Sequence, residues 1–246
     1  MLTAGARLWQ VLQWQLRVLV HQRAAWVLAA GALGLVLGGA ALRGFDFGGE
    51  ESRFVIHFAR GAVLLGGTVL AALAGPLLVI GGIEQRTTEL LLMRGVRRTE
   101  LIVAQVVALC ILLGWLTLTA TAVTGGVLPA AKAGEGWAQV WAALAPTWPV
   151  LGVTAAAAVL MAVIFRTVLL AGAGTLALAA VGHLAPVLER LQSAPGCWTR
   201  ATGTALDLLV PDFAVAMNGP VGALYAGAYG ATLTLLAALI FSRREF

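Results

Sequence analysis

Long apolar runs broken by short polar stretches dominate the chain. Ala24–Leu42, Gly61–Ile83, Leu101–Leu128, Trp141–Phe165, Thr167–Leu188 and Val221–Phe241 contain no Asp, Glu, Lys or Arg. Each approaches or exceeds the roughly 20 residues that carry a helix across about 30 Å of hydrocarbon. The pattern predicts six membrane-crossing helices. Only the fourth and fifth runs nearly touch, separated by Arg166, which predicts a tight helical hairpin. Ahead of the first run, Arg7, Gln10, Gln13, Arg17 and His21 recur every three or four residues, with Leu8, Val11, Leu12, Leu16, Leu19, Val20 and Trp9 filling the other side. That periodicity predicts an amphipathic helix within residues 1–23. A basic face opposite Leu and Trp suits a membrane surface, with Arg7, Trp9, Trp14 and Arg17 as its interfacial residues. A plain extension of the first span is the alternative. The first run is longer than the roughly 7–15 residues of a secretory-signal core, so a cleaved leader is not expected.

Small residues recur at four-residue spacing in Gly34/Gly38, Gly67/Ala71/Gly75 and Gly222/Ala226/Gly230, faces on which helices can approach closely in lipid. Pro76 is expected to loosen the second span near one end. Between the fifth and sixth runs lies a long loop, Glu189–Pro220. Within it Leu206–Val210 followed by Pro211, Asp212 and Phe213 reads as a short amphipathic piece. No internal repeat or linker divides the chain, so residues 1–246 are read as one membrane domain.

Composition agrees. Of 246 residues 60% are hydrophobic and 11% charged, with a mean hydropathy of +0.92. A soluble domain carries about a quarter charged residues. The net charge of +5 could point to nucleic acid, but the basic residues flank apolar runs instead of forming a stripe, and no nucleic-acid partner is expected. Their distribution orients the chain. With the N-terminus in the cytoplasm, Arg7, Arg17, Arg23, Arg86, Arg94, Arg97, Arg98, Arg166, Arg243 and Arg244 lie inside. Arg43, Arg53, Arg60, Lys132, Arg190 and Arg200 lie outside, so both termini are expected inside. Trp26, Trp137, Trp141 and Trp198 sit near run ends, as interfacial anchors do.

Several chemistries lack their required residues. A phosphate-binding P-loop needs a Gly-Lys pair, and the one lysine, Lys132, follows Ala131. His21, His57 and His183 are followed by Gln22, Phe58 and Leu184, so no His-Glu-x-x-His zinc helix exists. Ser52, Ser193 and Ser242 all lie outside the apolar runs, which leaves no intramembrane serine nucleophile. Buried carboxylates for aspartyl proteolysis or a proton relay are missing as well, and His183 reads as a hydrogen-bonded interfacial residue. Cys110 and Cys197 have neither metal-ligand spacing nor a shared depth that would suggest a disulfide. The chain is therefore expected to be no enzyme, with no metal or cofactor of its own.

The most informative stretch joins the second and third runs: Glu84-Gln85-Arg86-Thr87-Thr88-Glu89-Leu90-Leu91-Leu92-Met93-Arg94-Gly95-Val96-Arg97-Arg98-Thr99-Glu100. Glu84 and Thr88 are expected to share a helical face, as are Arg86 and Leu90. Leu91, Leu92 and Met93 can lie against a membrane or partner while Glu89 and Arg94 face water. Gly95 is expected to end the piece, and Thr99 to cap the next helix. A connector that simply obeys the charge rule for cytoplasmic loops is the plainer reading, and for Arg97 and Arg98 it stands level with a functional one.

This stretch resembles the coupling segment of the type-2 family of ATP-binding-cassette (ABC) exporter permeases. That family typically has an acid, a Gly/Thr pair, Glu-Leu-Leu, a proline-flanked turn, then Arg-x-Glu leading into the third span. Glu84, Thr88, Glu89, Leu90, Leu91, Arg97 or Arg98, and Glu100 match it. Thr87, Gly95 and Gln105 stand where glycine, proline and lysine are common. Leu208-Leu209-Val210-Pro211-Asp212-Phe213 with Asn218 also resembles a stretch of the smaller members.

The resemblance implies an all-α membrane protein, with six transmembrane helices after an N-terminal interfacial helix and both termini cytoplasmic. It implies a permease subunit in the bacterial inner membrane, paired with a second copy or a close paralogue. A separate ABC ATPase subunit would hold ATP and Mg. Glu84, Arg86, Glu89, Arg94, Arg97, Arg98 and Glu100 would form the surface that couples to it. Two rivals remain: an ion- or proton-coupled carrier, which would want charges inside the spans, and a membrane scaffold that moves no substrate.

Overall fold

In the computed structural model, residues 4–41, 51–93, 95–127, 133–184 and 210–243 are described. All regular structure among them is helical: α1 (Ala4–His21), α2 (Arg23–Ala41), α3 (Glu51–Glu84), α4 (Thr87–Met93), α5 (Arg98–Val127), α6 (Ala133–Leu144), α7 (Thr147–Ile164), α8 (Val168–His183), α9 (Phe213–Ala216) and α10 (Gly219–Ser242). Among the described residues, four stretches are long and apolar enough to cross a membrane: Ser52–Glu84, Arg98–Gly126, Gly136–Ile164 and Gly219–Ser242. The pair Gly5–His21 and Ala25–Gly39, bent by 69°, makes a fifth if counted as one broken span. Val168–His183 is a shorter apolar helix. The chain thus has the make-up of a multi-pass membrane protein.

The helix α7 is the hub. Ala155, Ala156, Ala157 and Ala158 are all buried, together with Val150, Leu151, Val153 and Val159. Four consecutive methyl-sized side chains present a slim surface on every side, so α3, α5, α8 and α10 can all pack against one helix. On α3, Gly67 faces Leu151 and Gly75 faces Ala158, where an added Cβ would stand 2.7 Å from the partner side chain in each case. The expected Gly67/Ala71/Gly75 face is therefore a packed seam. Gly222 and Ala226 are likewise buried, with Gly222 against the carbonyls of Val215 and Ala216. Gly34, Gly38 and Gly230 have open space where a side chain would begin, so those parts of the expected small-residue faces pack against nothing among the described residues.

Three boundaries differ from the hydropathy reading. The second run starts at Gly61, but α3 starts at Glu51. Arg53 and His57 face outward and Arg60 is half-buried, whereas Val55, Ile56, Ala59, Ala62 and Val63 are buried. The added turns are amphipathic, so a search for unbroken apolar residues stops short of them. Arg53 and Arg60, counted above among the outer residues between two runs, therefore lie on the helix. The fourth run is interrupted: α6 ends at Leu144 and α7 begins at Thr147, because Pro146 has no N–H to continue the ladder. The Thr147 hydroxyl donates to the Leu144 carbonyl at 2.6 Å and closes the break. The fifth run yields only Val168–His183 among the described residues. The turn around Arg166 takes extended backbone at Phe165 and Thr167, giving the expected hairpin.

Pro76 sits inside α3 without ending it. Lacking an N–H, it deprives the Ala72 carbonyl of its intrahelical donor. Gly172 of α8 lies against that oxygen, where a Cβ would stand 3.0 Å away. Buried hydroxyls mostly satisfy themselves in the same economical way. Thr117, Thr121, Thr124, Thr154 and Thr175 each donate to a carbonyl three or four residues earlier in their own helix. Gln15 and Gln105 are different: both are 2% exposed, and neither Oε1 has a hydrogen-bond partner among the described residues.

Candidate functional site

The segment 84–100 folds as a short helix held between two left-handed residues. After α3 ends at Glu84, Arg86 adopts φ +55°, a conformation that costs a non-glycine residue roughly 1–2 kcal/mol. This sharp reversal tucks α4 back under α3. The Thr87 hydroxyl donates to the Gly82 carbonyl at 2.9 Å, and Thr88 is buried close to Gly82, where a Cβ would come within 3.1 Å of its hydroxyl. Glu84 and Thr88 thus do not share one helical face as expected: the reversal at Arg86 leaves Glu84 exposed on α3 and turns Thr88 inward.

At the other end Gly95 has φ +80°. Its N–H bonds the Leu92 carbonyl at 3.0 Å, and the Val96 N–H bonds that of Leu91 at 3.4 Å. This paired pattern with a left-handed glycine is the Schellman termination, and it ends the piece at Gly95 as expected. The next helix starts at Arg98, one residue before the expected cap. Thr99 lies in its first turn, and the cap is supplied instead by Glu100, whose carboxylate accepts the Arg97 N–H at 3.1 Å. That bond is half of a capping box, with an acid at the third helical position reaching back to the residue before the helix.

The seven residues of the expected coupling set divide by what they touch. Glu84, Arg86, Glu89 and Arg97 are exposed. Glu100 is half-buried and used in the cap. Arg98 is half-buried too, and its guanidinium donates to the carbonyls of Ser242 at 3.2 Å and Phe241 at 3.5 Å. A cation on the last carbonyls of α10 is electrostatically favourable and ties the start of α5 to the end of the chain's last helix. Arg94 lies outside the described residues. Leu90 and Met93, 60% and 82% exposed, stand among the exposed charges, while Leu91 packs against the core. The sequence pattern alone put Leu91 and Leu92 beside Met93 as the outward apolar group; only the reversal at Arg86 decides which leucine faces out.

The N-terminal helix meets this segment. The buried side of α1 consists of Val11, Leu12, Gln15 and Leu19, and it packs mainly on α5. The stripe of Gln10, Gln13, Arg17 and His21 is exposed, as the periodicity predicts. Arg7 Nη1 donates to the Gly95 carbonyl at 3.4 Å. Between α1 and the α4–α5 turn lies a cavity of about 340 Å³, lined by Arg7, Gln13, Trp14 and Arg17 from α1 and by Leu91 and Val96 opposite. Trp9, by contrast, is 57% exposed and outside the cavity. At Gln22 the chain bends into α2, and the Trp26 indole donates to the Val20 carbonyl at 2.6 Å across the bend.

At the opposite end of α10, Asp212 caps α9 by accepting from the N–H groups of Ala214 and Val215, and its own N–H donates to the Tyr225 hydroxyl. Phe213 is buried with His183 edge-on to its ring. The Val210–Phe213 stretch is thus a packing clasp, while Leu206–Leu209 lie outside the described residues. Among the described residues no group of three or more His, Cys, Asp or Glu is placed to hold a metal ion. No protein-family model matches the chain, and no curated protein matches it at a significant level.

Proposed function

We propose that this chain is the membrane-spanning subunit of an ATP-driven ABC exporter in the bacterial inner membrane. In this reading α2, α3, α5, α6–α7, α8 and α10 are six spans, α1 lies at the cytoplasmic interface, and both termini are cytoplasmic. The short α8 belongs to an apolar run that continues in the sequence to Leu188. Two such subunits, identical or paralogous, would associate with two copies of a separate ATPase that carries ATP and Mg. Closure of the ATPase pair would press on α4, and the spans would shift between inward and outward arrangements.

The observation that carries this reading is the presentation of α4. A connector between two long helices needs only a few residues. Here it is built out into a helix fixed at both ends by left-handed residues, and the same segment exposes Leu90 and Met93 together with Glu84, Arg86, Glu89 and Arg97. Exposed apolar anchors with charged neighbours are what a docking partner needs for affinity at the centre and orientation at the rim. The resemblance of the same residues to a coupling segment supplies the identity of that partner. Lack of charge within the apolar runs favours an amphiphilic or hydrophobic substrate.

The test is purification of the tagged protein from membranes in mild detergent, with mass spectrometry and an ATPase assay. A P-loop ATPase should co-purify. Reversing one rim charge, Glu89→Arg, should lower stimulated ATPase activity about tenfold or more while membrane insertion is unchanged. A clean preparation without an ATPase partner would remove the coupling assignment and turn attention to carrier or scaffold roles.

A further inference from the structure

The cavity between α1 and the α4–α5 turn has a composition that the docking of α4 does not explain. Arg7 and Arg17 lie on its α1 wall with Gln10 and Gln13, about 15 Å apart along the helix axis, and no acidic residue lines it among the described residues. Nor is there an acid anywhere in the chain before Asp46. Arg7 makes one long bond, to Gly95, and its Nε is buried without a hydrogen-bond partner among the described residues. An unanswered guanidinium N–H is costly to bury, and the remaining donors of a guanidinium suit the oxygens of a phosphate. The rest of the wall is apolar: Val11, Trp14, Leu91 and Val96.

We propose that this cavity binds the anionic phosphate of a phospholipid headgroup, with Arg7 and Arg17 supplying positive charge along its α1 wall and Trp14, Leu91 and Val96 as the apolar collar. The lipid source is favoured over a soluble anion by position. The cavity lies where α5 begins its apolar run, beside a helix whose Trp9 is exposed, and indole side chains gather at the headgroup level of bilayers. It is favoured over an acidic peptide by the collar, which would sit against glycerol and the first methylenes. A lipid held there would touch both α1 and the Schellman turn that ends α4, so lipid composition would reach the coupling segment directly. The inference rests on the membrane reading and not on the ATPase partner.

The full-length protein, delipidated in neutral detergent, is titrated with dioleoylphosphatidylglycerol and with dioleoylphosphatidylcholine and read by native mass spectrometry. The anionic lipid should bind about tenfold tighter, and the R7Q/R17Q variant should lose that preference. The R7K/R17K variant, which keeps the charges, should retain most of it, and Leu91→Trp, which fills the cavity at constant charge, should abolish it. Arg166→Gln, a loss of charge away from the cavity, should leave it unchanged. Equal preference in R7Q/R17Q and the unaltered protein, or an equal loss in Arg166→Gln, would overturn the site. Displacement of the lipid by millimolar inorganic phosphate would overturn the lipid source and assign the cavity to a soluble anion. Exclusion of the lipid by a co-purified ATPase would assign it to a protein partner.

Discussion

Gln15 and Gln105 pose the sharpest question at the scale of single residues. An amide oxygen buried without a donor costs roughly 1–3 kcal/mol, and the threonines around them show how readily this chain satisfies a buried hydroxyl within its own helix. A glutamine cannot fold back on its helix so economically, so each amide is either a liability or a reserved contact. Replacing Gln105 by Met keeps the length and shape and removes the orphaned oxygen. We expect Gln105→Met to raise the midpoint of thermal unfolding in detergent by a few degrees, given about 2–4 °C per kcal/mol for a chain of this size. A lowered midpoint would show that the amide has a partner that the packing alone does not reveal. The polar spacing of α1 was readable because a stripe follows from 3.6-residue periodicity. Gln15 and Gln105 were not, because nothing in a glutamine's neighbours along the chain says whether its helix turns it toward solvent or toward another helix.

Among the elements, α3 shows both what hydropathy reveals and where it stops. Its apolar stretch was evident, but its first turns were lost to Arg53, His57 and Arg60, since an amphipathic extension interrupts an apolar run without interrupting the helix. Pro76 was expected to loosen the helix. Its structural mark is the Ala72 carbonyl, left without its helical donor and lying against Gly172 of α8. That coupling can be measured. Gly172→Ala places a methyl group 3.0 Å from the Ala72 oxygen and should lower stability by about 1–3 kcal/mol, the usual cost of overpacking. Pro76→Ala restores the missing N–H and draws the oxygen back into the α3 ladder. The double variant P76A/G172A should therefore lose less than the sum of the single changes, with a coupling of at least about 0.5 kcal/mol. Midpoints measured in one detergent at one heating rate give the comparison. Strict additivity would mean that Gly172 is there for some reason other than the proline.

For the whole molecule, the all-helical, multi-pass character could be read from composition and run length, and so could the position of the candidate site. Its working surface could not. The charges of 84–100 were all visible, yet Arg98 and Glu100 turn out to hold helix ends, and Leu90 faces outward where Leu91 does not. The choice between the two leucines depends on a reversal at Arg86, and arginine carries no sequence signal for a left-handed turn. The arrangement of the bundle still rests on one physical requirement. The helix α3 has 34 residues and, at 1.5 Å per residue, is about 51 Å long. The hydrocarbon needs about 30 Å of it, so a crossing α3 reaches both faces of the membrane with length to spare. The amphipathic first turns are the natural place for the excess, because α4 folds back tightly at the other end. With Cys110 and Cys197 replaced by alanine, Ser52→Cys should react with a membrane-impermeant maleimide in intact spheroplasts. Gln85→Cys should react only in inverted vesicles. Reaction of both from one side would mean that α3 does not cross. Reaction of each from the wrong side would keep the span and reverse its orientation. The segment 84–100 would then lie away from the compartment that holds ATP, and the exporter reading would fall while the packing described here stood unchanged.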